Sequence, residues 1–410
     1  MFNKIKFKNN LICGYKRLSE YRASSKGNVN SHTSNLTSYF NSASHLKTVQ
    51  PLVPKDLLDR ERNGFAKKLY LVDSELASII AEHILPKIKK YENVVVCEAN
   101  PGLGYLTKLL KRNVKRLKLY ENHSELRKRL KENYSGRNFK NVEIFSKDLL
   151  HLWRMERLDK YDKGKRIQEF FKGIHKKNWN ENPSFVIIAT MPQLDFINYL
   201  MKAIAIQSEL IMHGRMELYV IIRPGDFLKL TSGPPLEFPA YQSSSVLYKT
   251  FCETKLLAEL PRNAFFPWDS KIKINSRTKI TTKYDLNKLY LVQIQLKENF
   301  GLQPEQCLPY YYFVKQLFGR GNVRIIPKLE QWISNVGYKL IVPDKNYKIS
   351  QNMGVYTRTG ELMPEDMLNI FQIFYNHQGY SNSPFTAMVD AELLKHETVD
   401  TDLAEDNKLI

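Results

Sequence analysis

Apolar positions along the chain change period several times, and each change marks an element. Over residues 69–88 they recur at helical spacing through Leu76, Ile79, Ile80 and Ile84, which predicts a helix with Ser74 placed to cap its first turn. Short apolar runs without alternation follow at residues 94–97, 117–120, 142–145 and 185–189, as strands of a parallel sheet buried on both faces should read. Helical segments open at Tyr105 and span residues 124–134, so strands and helices alternate and right-handed βαβ units are expected. A long helix is expected over residues 194–212 and a fifth strand over 217–222. Residues 246–260 and 289–296 read as two further strands, a hairpin at the sheet edge. Residues 304–319, 326–341 and 364–377 read as helices. The expected fold is α/β: a mostly parallel Rossmann-like sheet from about Pro54 to residue 296, a small helical domain at 297–389 and an acidic tail at 390–410.

Charge adds a partner class to this picture. The 410 residues carry a formal net charge of +20, which suits nucleic acid or another polyanion. The tail holds seven acids against Lys395 and Lys408, so its net is −5 on a body of +25. Such a tail is expected to compete with DNA for the basic surface. Four cysteines without CxxC or Cys/His spacing argue against a zinc site or a disulfide framework and suit a reducing compartment. No apolar run reaches the eighteen or so residues of a membrane span. Residues 1–50 hold eight Lys or Arg, eight serines and one acid, Glu20, as a mitochondrial transit peptide would, with a basic nucleic-acid-binding arm as the alternative.

Candidate chemistry gathers at strand ends. The run 94–107, VVVCEANPGLGYLT, is a strand, a turn with Gly102 and Gly104, and the start of a helix. Glu98, Glu121 and Asp148 each close an apolar segment, and Thr190, Met191, Pro192 and Gln193 end the fourth strand. Ten basic residues lie between Lys108 and Lys131, among them Lys111, Arg112, Lys115, Arg116, Arg127 and Lys128. The insertion 151–182 adds nine, including Arg154, Arg157, Lys165 and Arg166, interleaved with five aromatics. Cations beside rings suit a single strand, whose phosphates and bases both need partners. The plain alternatives are solvated helix faces and an amphipathic helix near 163–176 docked through Ile167, Phe170, Phe171 and Ile174. The run Tyr310–Phe313 reads as core rather than as a stacking surface.

Glu98, Pro101, Gly102, Gly104, Leu106 and Thr107, with Glu121 in YENHSEL and Asp148 in SKDLL, resemble the cofactor motifs of the S-adenosylmethionine-dependent rRNA adenine dimethyltransferase family. Residues 69–84, which include Leu71, are similar to that family's segment before the first strand, residues 260–272 to its Phe-x-Pro linker, and residues 286–294 to its last strand. The resemblance implies a class I methyltransferase sheet. It also implies that Glu121 accepts the ribose hydroxyls of S-adenosylmethionine, that Asp148 accepts its adenine amino group, and that Leu71, Glu98, Asn100, Gly102 and Gly104 lie along the rest of it. Two positions depart from the pattern. Asn100 replaces the first glycine of the loop, and Thr190-Met191-Pro192-Gln193 stands where the family has Asn, an apolar residue, Pro and an aromatic. With the basic charge and the transit-like segment, these departures resemble the type-two mitochondrial transcription factor B branch. That branch implies a monomeric partner of the mitochondrial RNA polymerase in the matrix nucleoid, which melts promoter DNA and holds the separated strand, with methyl transfer weak or lost. The other implied reading is adenine N6-dimethylation of mitochondrial small-subunit rRNA.

Overall fold

The protein is described by a computed structural model over residues 40–42, 44–59, 68–134, 141–234, 241–267, 287–319, 322–341 and 353–397. Its centre is a seven-stranded sheet in the order β4 (Val142–Phe145), β3 (Arg116–Tyr120), β2 (Val95–Ala99), β5 (Phe185–Thr190), β6 (Met216–Ile222), β9 (Lys288–Leu296) and β7 (Cys252–Pro261). The first five run parallel, and β9 lies antiparallel between β6 and β7, as the α/β reading with an antiparallel edge pair expects. A short ribbon pairs β1 (Tyr70–Leu71) with β8 (Phe265–Phe266).

Strand order reverses at β2, with β3 and β4 on one side and β5 and β6 on the other. A switch of this kind opens a crevice beyond the carboxyl ends of the strands. Register fixes what stands there: Ala99 pairs with both Tyr120 and Ala189, so Asn100, Glu121 and Thr190 come together at one edge.

Helices cover both faces, which is why β2 and β6 are buried at every position. On one face Val96, Ile188 and Ile221 pack with Leu76, Ile80 and Ile84 of the helix Ser74–Ile88 and with Leu106 and Leu110 of the helix Tyr105–Asn113. On the other, Cys97, Ile187 and Val220 share a continuous core with Phe170, Leu200, Tyr248, Tyr310, Phe313 and Phe371. The C-terminal helices Pro304–Phe318 and Pro364–Tyr375 pack on this face and share its apolar core. Cys97, Cys252 and Cys307 are buried free thiols.

Several boundaries differ from those the sequence predicts. Asp73, not Ser74, caps the first long helix, its Oδ1 accepting from the Glu75 and Leu76 amides, both at 2.9 Å. Residues 69–72 are extended because β1 is drawn into pairing with β8. Residues 246–251 are helical, not strand. The helix Ser243–Phe251 starts where Ser245 Oγ accepts the Gln242 N–H at 3.1 Å, and its β-branched and aromatic residues are simply its buried side. The expected helix over 194–212 splits into Asp195–Ala205 and Glu209–Met212, with Gln207 between them at a φ of 49°. Residues 326–341 likewise split into Ile325–Glu330 and Val336–Ile341, with Asn335 at 67°.

Ordered structure also begins before Pro54. Phe40 is fully buried, and Leu46 and Val49 of the helix Ser44–Val49 pack with Val53, Leu57, Tyr70, Leu126 and Phe266. His45 Nε2 lies 3.1 Å from Asp73 Oδ2, and His123 Nε2 lies 3.0 Å from Asp56 Oδ1, which ties this strap to the cleft side of the sheet. Residues 40–42 and 44–50 are therefore part of the fold and not of a disordered arm. The rest of the transit-like segment lies outside the described residues, as do linker residues 268–272 and tail residues 398–410. Residue 390 is not a boundary, because the helix Pro384–Glu397 runs through it.

Candidate cofactor cleft and nucleic-acid surface

The turn after β2 is built from left-handed backbone. Asn100 has φ 52°, Gly102 60° and Gly104 78°. Asparagine tolerates this region better than most residues, and the Asn100 N–H donates to Tyr120 O at 2.9 Å, so the substitution keeps the turn. At Gly102 a Cβ would fall 2.8 Å from Tyr70 Cδ1, so the position also excludes side chains sterically.

Two carboxylates are buried beside the turn. Glu98 Oε2 accepts from Thr107 Oγ1 at 2.7 Å. Glu121 is fully buried, its Oε2 accepting the Gly102 N–H at 3.2 Å and its Oε1 the His123 N–H at 2.9 Å. Burial raises Glu121 against the opposing pull of these amides and of Lys68. Burial likewise pushes Glu98 from 4.5 to about 7, with the Thr107 bond opposing and the Glu121 charge adding to the rise. The native state therefore holds this proton more tightly than the unfolded chain does. Stability falls as pH rises from 4.5 to about 7 and stays lowered above that. Glu98→Gln removes this cost. The variant is expected to be more stable than wild type above neutrality, by at most ~3 kcal/mol, and indistinguishable from it below the unfolded-state pKa. Thermal melts at about pH 4 and about pH 8 check this, and an equal difference at both would contradict it.

Asp148 is held differently. Burial would raise it, but His151 Nδ1 at 3.1 Å and Lys68 Nζ at 2.7 Å from its Oδ2 outweigh burial and hold it at about 2. Its Oδ1 accepts the Leu150 N–H at 3.1 Å. The Lys68 ammonium also donates to Asn100 Oδ1 at 2.8 Å and to Asn122 Oδ1 at 2.6 Å. The space left between Leu71, Glu98, Asn100 and Thr190 is about 30 Å³. That is room for about one water molecule, where small-molecule pockets hold roughly 300 Å³ or more. In this arrangement the residues do not fit S-adenosylmethionine as they stand: the turn and Glu121 are in place, but Asp148 Oδ2 is already held by Lys68 and His151 and its Oδ1 by the Leu150 amide.

Thr190 lines that same small cavity, and none of the described residues that line the cavity is aromatic. Met191 and Pro192 are buried, with the Met191 N–H donating to Ile221 O at 2.8 Å, and Gln193 is exposed. Leu71, Glu98, Asn100 and Thr190 are thus brought together, with Gly102 and Glu121 hydrogen-bonded to each other at the same sheet edge.

The basic candidates are not one surface. The helix Tyr105–Asn113 returns from the end of β2 to the start of β3, and it carries Lys111 and Arg112 to the edge opposite the cleft. Lys115 donates to Asn93 Oδ1 at 3.4 Å, just before β2, and Arg116 donates to Gly173 O at 2.5 Å and faces Glu143 at 3.8 Å. On the cleft edge, Arg127 donates to the Glu121 and Asn122 carbonyls at 3.2 and 3.1 Å. Arg166 is spent on Asp159 at 2.9 Å and Asp162 at 2.5 Å. Lys128, Arg154 and Lys165 are exposed there, with Arg157 half-buried nearby on the helix Leu152–Asp162. Arg154 lies over the Trp153 ring at 5.0 Å, and Lys165 lines an open hollow with Ser146 and Lys147, just past β4.

The insertion docks on the sheet. It forms two helices, Leu152–Asp162 and Arg166–Phe171, and buries Ile167, Phe170, Phe171 and Ile174. Lys118 of β3, 1 % exposed, anchors it by donating to Phe170 O at 3.2 Å and Lys172 O at 2.5 Å, with its ammonium 5.1 Å from the Phe145 ring. Tyr310 and Phe313 are fully buried, as a core role requires.

Sequence reasoning missed Lys68, Asn122 and His151. A lone lysine in a segment without period carries no signal, and only the fold brings it to Asp148. A further buried carboxylate, Glu217, accepts from Tyr219 Oη and Gln293 Nε2, each at 2.5 Å, and from Tyr91. It stands near the start of β6, away from the cleft, and its partners account for it. Among the described residues no group of three or more His, Cys, Asp or Glu is placed to hold a metal ion.

A family model described as ribosomal RNA adenine dimethylase matches residues 60–374. A Drosophila melanogaster protein described as "Dimethyladenosine transferase 2, mitochondrial" is 26% identical over 380 residues, covering 84% of each chain. The "Ribosomal RNA small subunit methyltransferase A" of Staphylococcus haemolyticus is 26% identical over 220 residues, 53% of this chain and 64% of its own. Among solved structures, the 23S rRNA methyltransferase ErmE matches with a TM-score of 0.46 at 15% identity, covering 74% of this chain and 99% of that one. A dimethyladenosine transferase from Plasmodium falciparum matches with a TM-score of 0.45 at 13% identity, covering 73% and 94%.

Proposed function

Because the chain belongs to the ribosomal RNA adenine dimethylase family, whose model spans residues 60–374, we propose that it is a mitochondrial transcription initiation factor built on that family's fold. In this reading it assists the mitochondrial RNA polymerase in melting promoter DNA and holds the separated strand. The observation that carries the reading is the end of β5. Positioning an adenine amine for methyl transfer needs hydrogen-bond acceptors for its two hydrogens and a ring on which the flipped base stacks. Thr190 has a short side chain with a hydroxyl in place of an amide, and Gln193 is exposed and has no π face. The same edge offers Lys128, Arg154 and Lys165 together with Trp153, the combination of cations and ring that a single strand needs.

The Drosophila relative's description supports a mitochondrial location; the matrix nucleoid and a monomeric state belong to the proposal itself. No helix among the described residues is long and apolar enough to cross a membrane. The second reading, dimethylation of mitochondrial small-subunit rRNA, is favoured by the intact Gly102–Gly104 turn and the paired Glu98 and Glu121. Transcription by the mitochondrial polymerase from duplex and pre-melted promoter templates tests the first. The factor should be required on duplex DNA and dispensable once the start site is unpaired; an undiminished requirement on the pre-melted template would contradict it.

A further inference from the structure

We infer that Lys68 is a built-in substitute for the adenosyl end of the cofactor: its ammonium occupies the acceptors at the ends of β2, β3 and β4 and excludes S-adenosylmethionine from the cleft. The inference goes beyond strand binding and does not rest on it, since a strand-holding protein can keep or lose its cofactor cleft.

A lysine ammonium has three N–H donors. Here each has an acceptor: Asn100 Oδ1 at 2.8 Å after β2, Asn122 Oδ1 at 2.6 Å after β3, and Asp148 Oδ2 at 2.7 Å after β4. These loops lie side by side at the edge where the strand order places the crevice. The family resemblance gives Asp148 to an amino N–H of adenine, and Lys68 presents an N–H to that same carboxylate. The lysine backbone is pinned, because the next residues, Leu69 and Tyr70, are buried and β1 is held by β8. The side chains of Lys68 and Asp148 are 18% and 11% exposed, so the pair is largely shielded from solvent and costly to separate. His151 faces Asp148 from the other side at 3.1 Å and provides a second donor to it. A ligand whose adenine takes Asp148 must displace the ammonium from that carboxylate, and S-adenosylmethionine would bring its own sulfonium charge close to the displaced cation.

Calorimetric titration of the full chain with S-adenosylmethionine and with the uncharged-sulfur analogue S-adenosylhomocysteine tests this. Wild type is expected to show no saturable binding below about 1 mM. Lys68→Ala, which removes the cation and opens volume, should bind both ligands at least about tenfold more tightly, with the larger gain for the sulfonium. Lys68→Gln, which keeps the length of the side chain without its charge, should gain in the same direction and serves if the alanine variant does not fold. Wild-type affinity in the micromolar range, or variants that bind no better or worse than wild type, would overturn the inference. In the last case Lys68 would be a cofactor ligand or a purely structural tie, and a lowered melting temperature without a gain in affinity would identify the tie.

Discussion

Replacing Lys128, Arg154 and Lys165 together by alanine is expected to weaken binding of a single-stranded oligonucleotide about 100-fold near 0.1 M salt. These side chains are exposed on the cleft edge and, among the described residues, make no ion pair comparable to those of Arg166. Each phosphate contact to a single strand contributes about 0.7 to the slope of log K against log salt concentration, so three lost contacts should flatten that slope by about 2. Near 0.1 M the same three contacts account for roughly two decades of affinity. Replacing Arg112, near the end of the helix Tyr105–Asn113, and Lys115, just past it at the opposite edge, should cost less than about threefold. Arg116 and Arg166 are poor choices for such a test. Their guanidinium groups hold Gly173 and the 159–167 turn, so their loss would register first as stability. Fluorescence anisotropy over a salt series reads both variants. Equal losses on the two edges would mean that the strand does not follow the cleft.

The division between the two edges shows what could be read from the chain and what could not. Runs such as Val186–Ile188 have no alternation because helices cover both faces, so the parallel sheet and its order of acidic strand ends were legible in one dimension. The Gly102–Gly104 turn was legible for a similar reason, since left-handed backbone leaves glycine as its sign. Basic residues carry no such directional mark. Lys111 and Lys128 look equivalent in sequence, yet one full helix separates the edges on which they stand. Residues 246–251 misled because Val, Leu, Tyr and Phe are favoured in strands, and it is the capping bond from the Gln242 N–H to Ser245 and burial against neighbouring helices that make them helical. Lys68 was invisible because its significance depends on Asn100, Asn122 and Asp148, which lie 32, 54 and 80 residues away in sequence. Lys118 was hidden in the same way: a lysine within a buried strand is read as an interruption until the Phe170 and Lys172 carbonyls are found above it.

In the proposed reading the family's fold is kept while its chemistry is set aside, and the largest consequence falls on methyl transfer. Losing the ring at Gln193 removes base stacking worth ~1–3 kcal/mol. Losing the amide at Thr190 leaves a hydrogen of the adenine amine without its acceptor, at a similar cost of ~1–3 kcal/mol. Each ~1.4 kcal/mol is a factor of ten, so the two together slow transfer by roughly one to four decades before the ammonium of Lys68 on Asp148 is considered. The most direct measurement is transfer of labelled methyl from S-adenosylmethionine to a small-subunit rRNA hairpin by the full chain, with an active bacterial dimethylase run alongside. The expected result is no dimethyladenosine above background under conditions in which the bacterial enzyme converts its substrate fully; stoichiometric dimethylation of the hairpin would contradict the account.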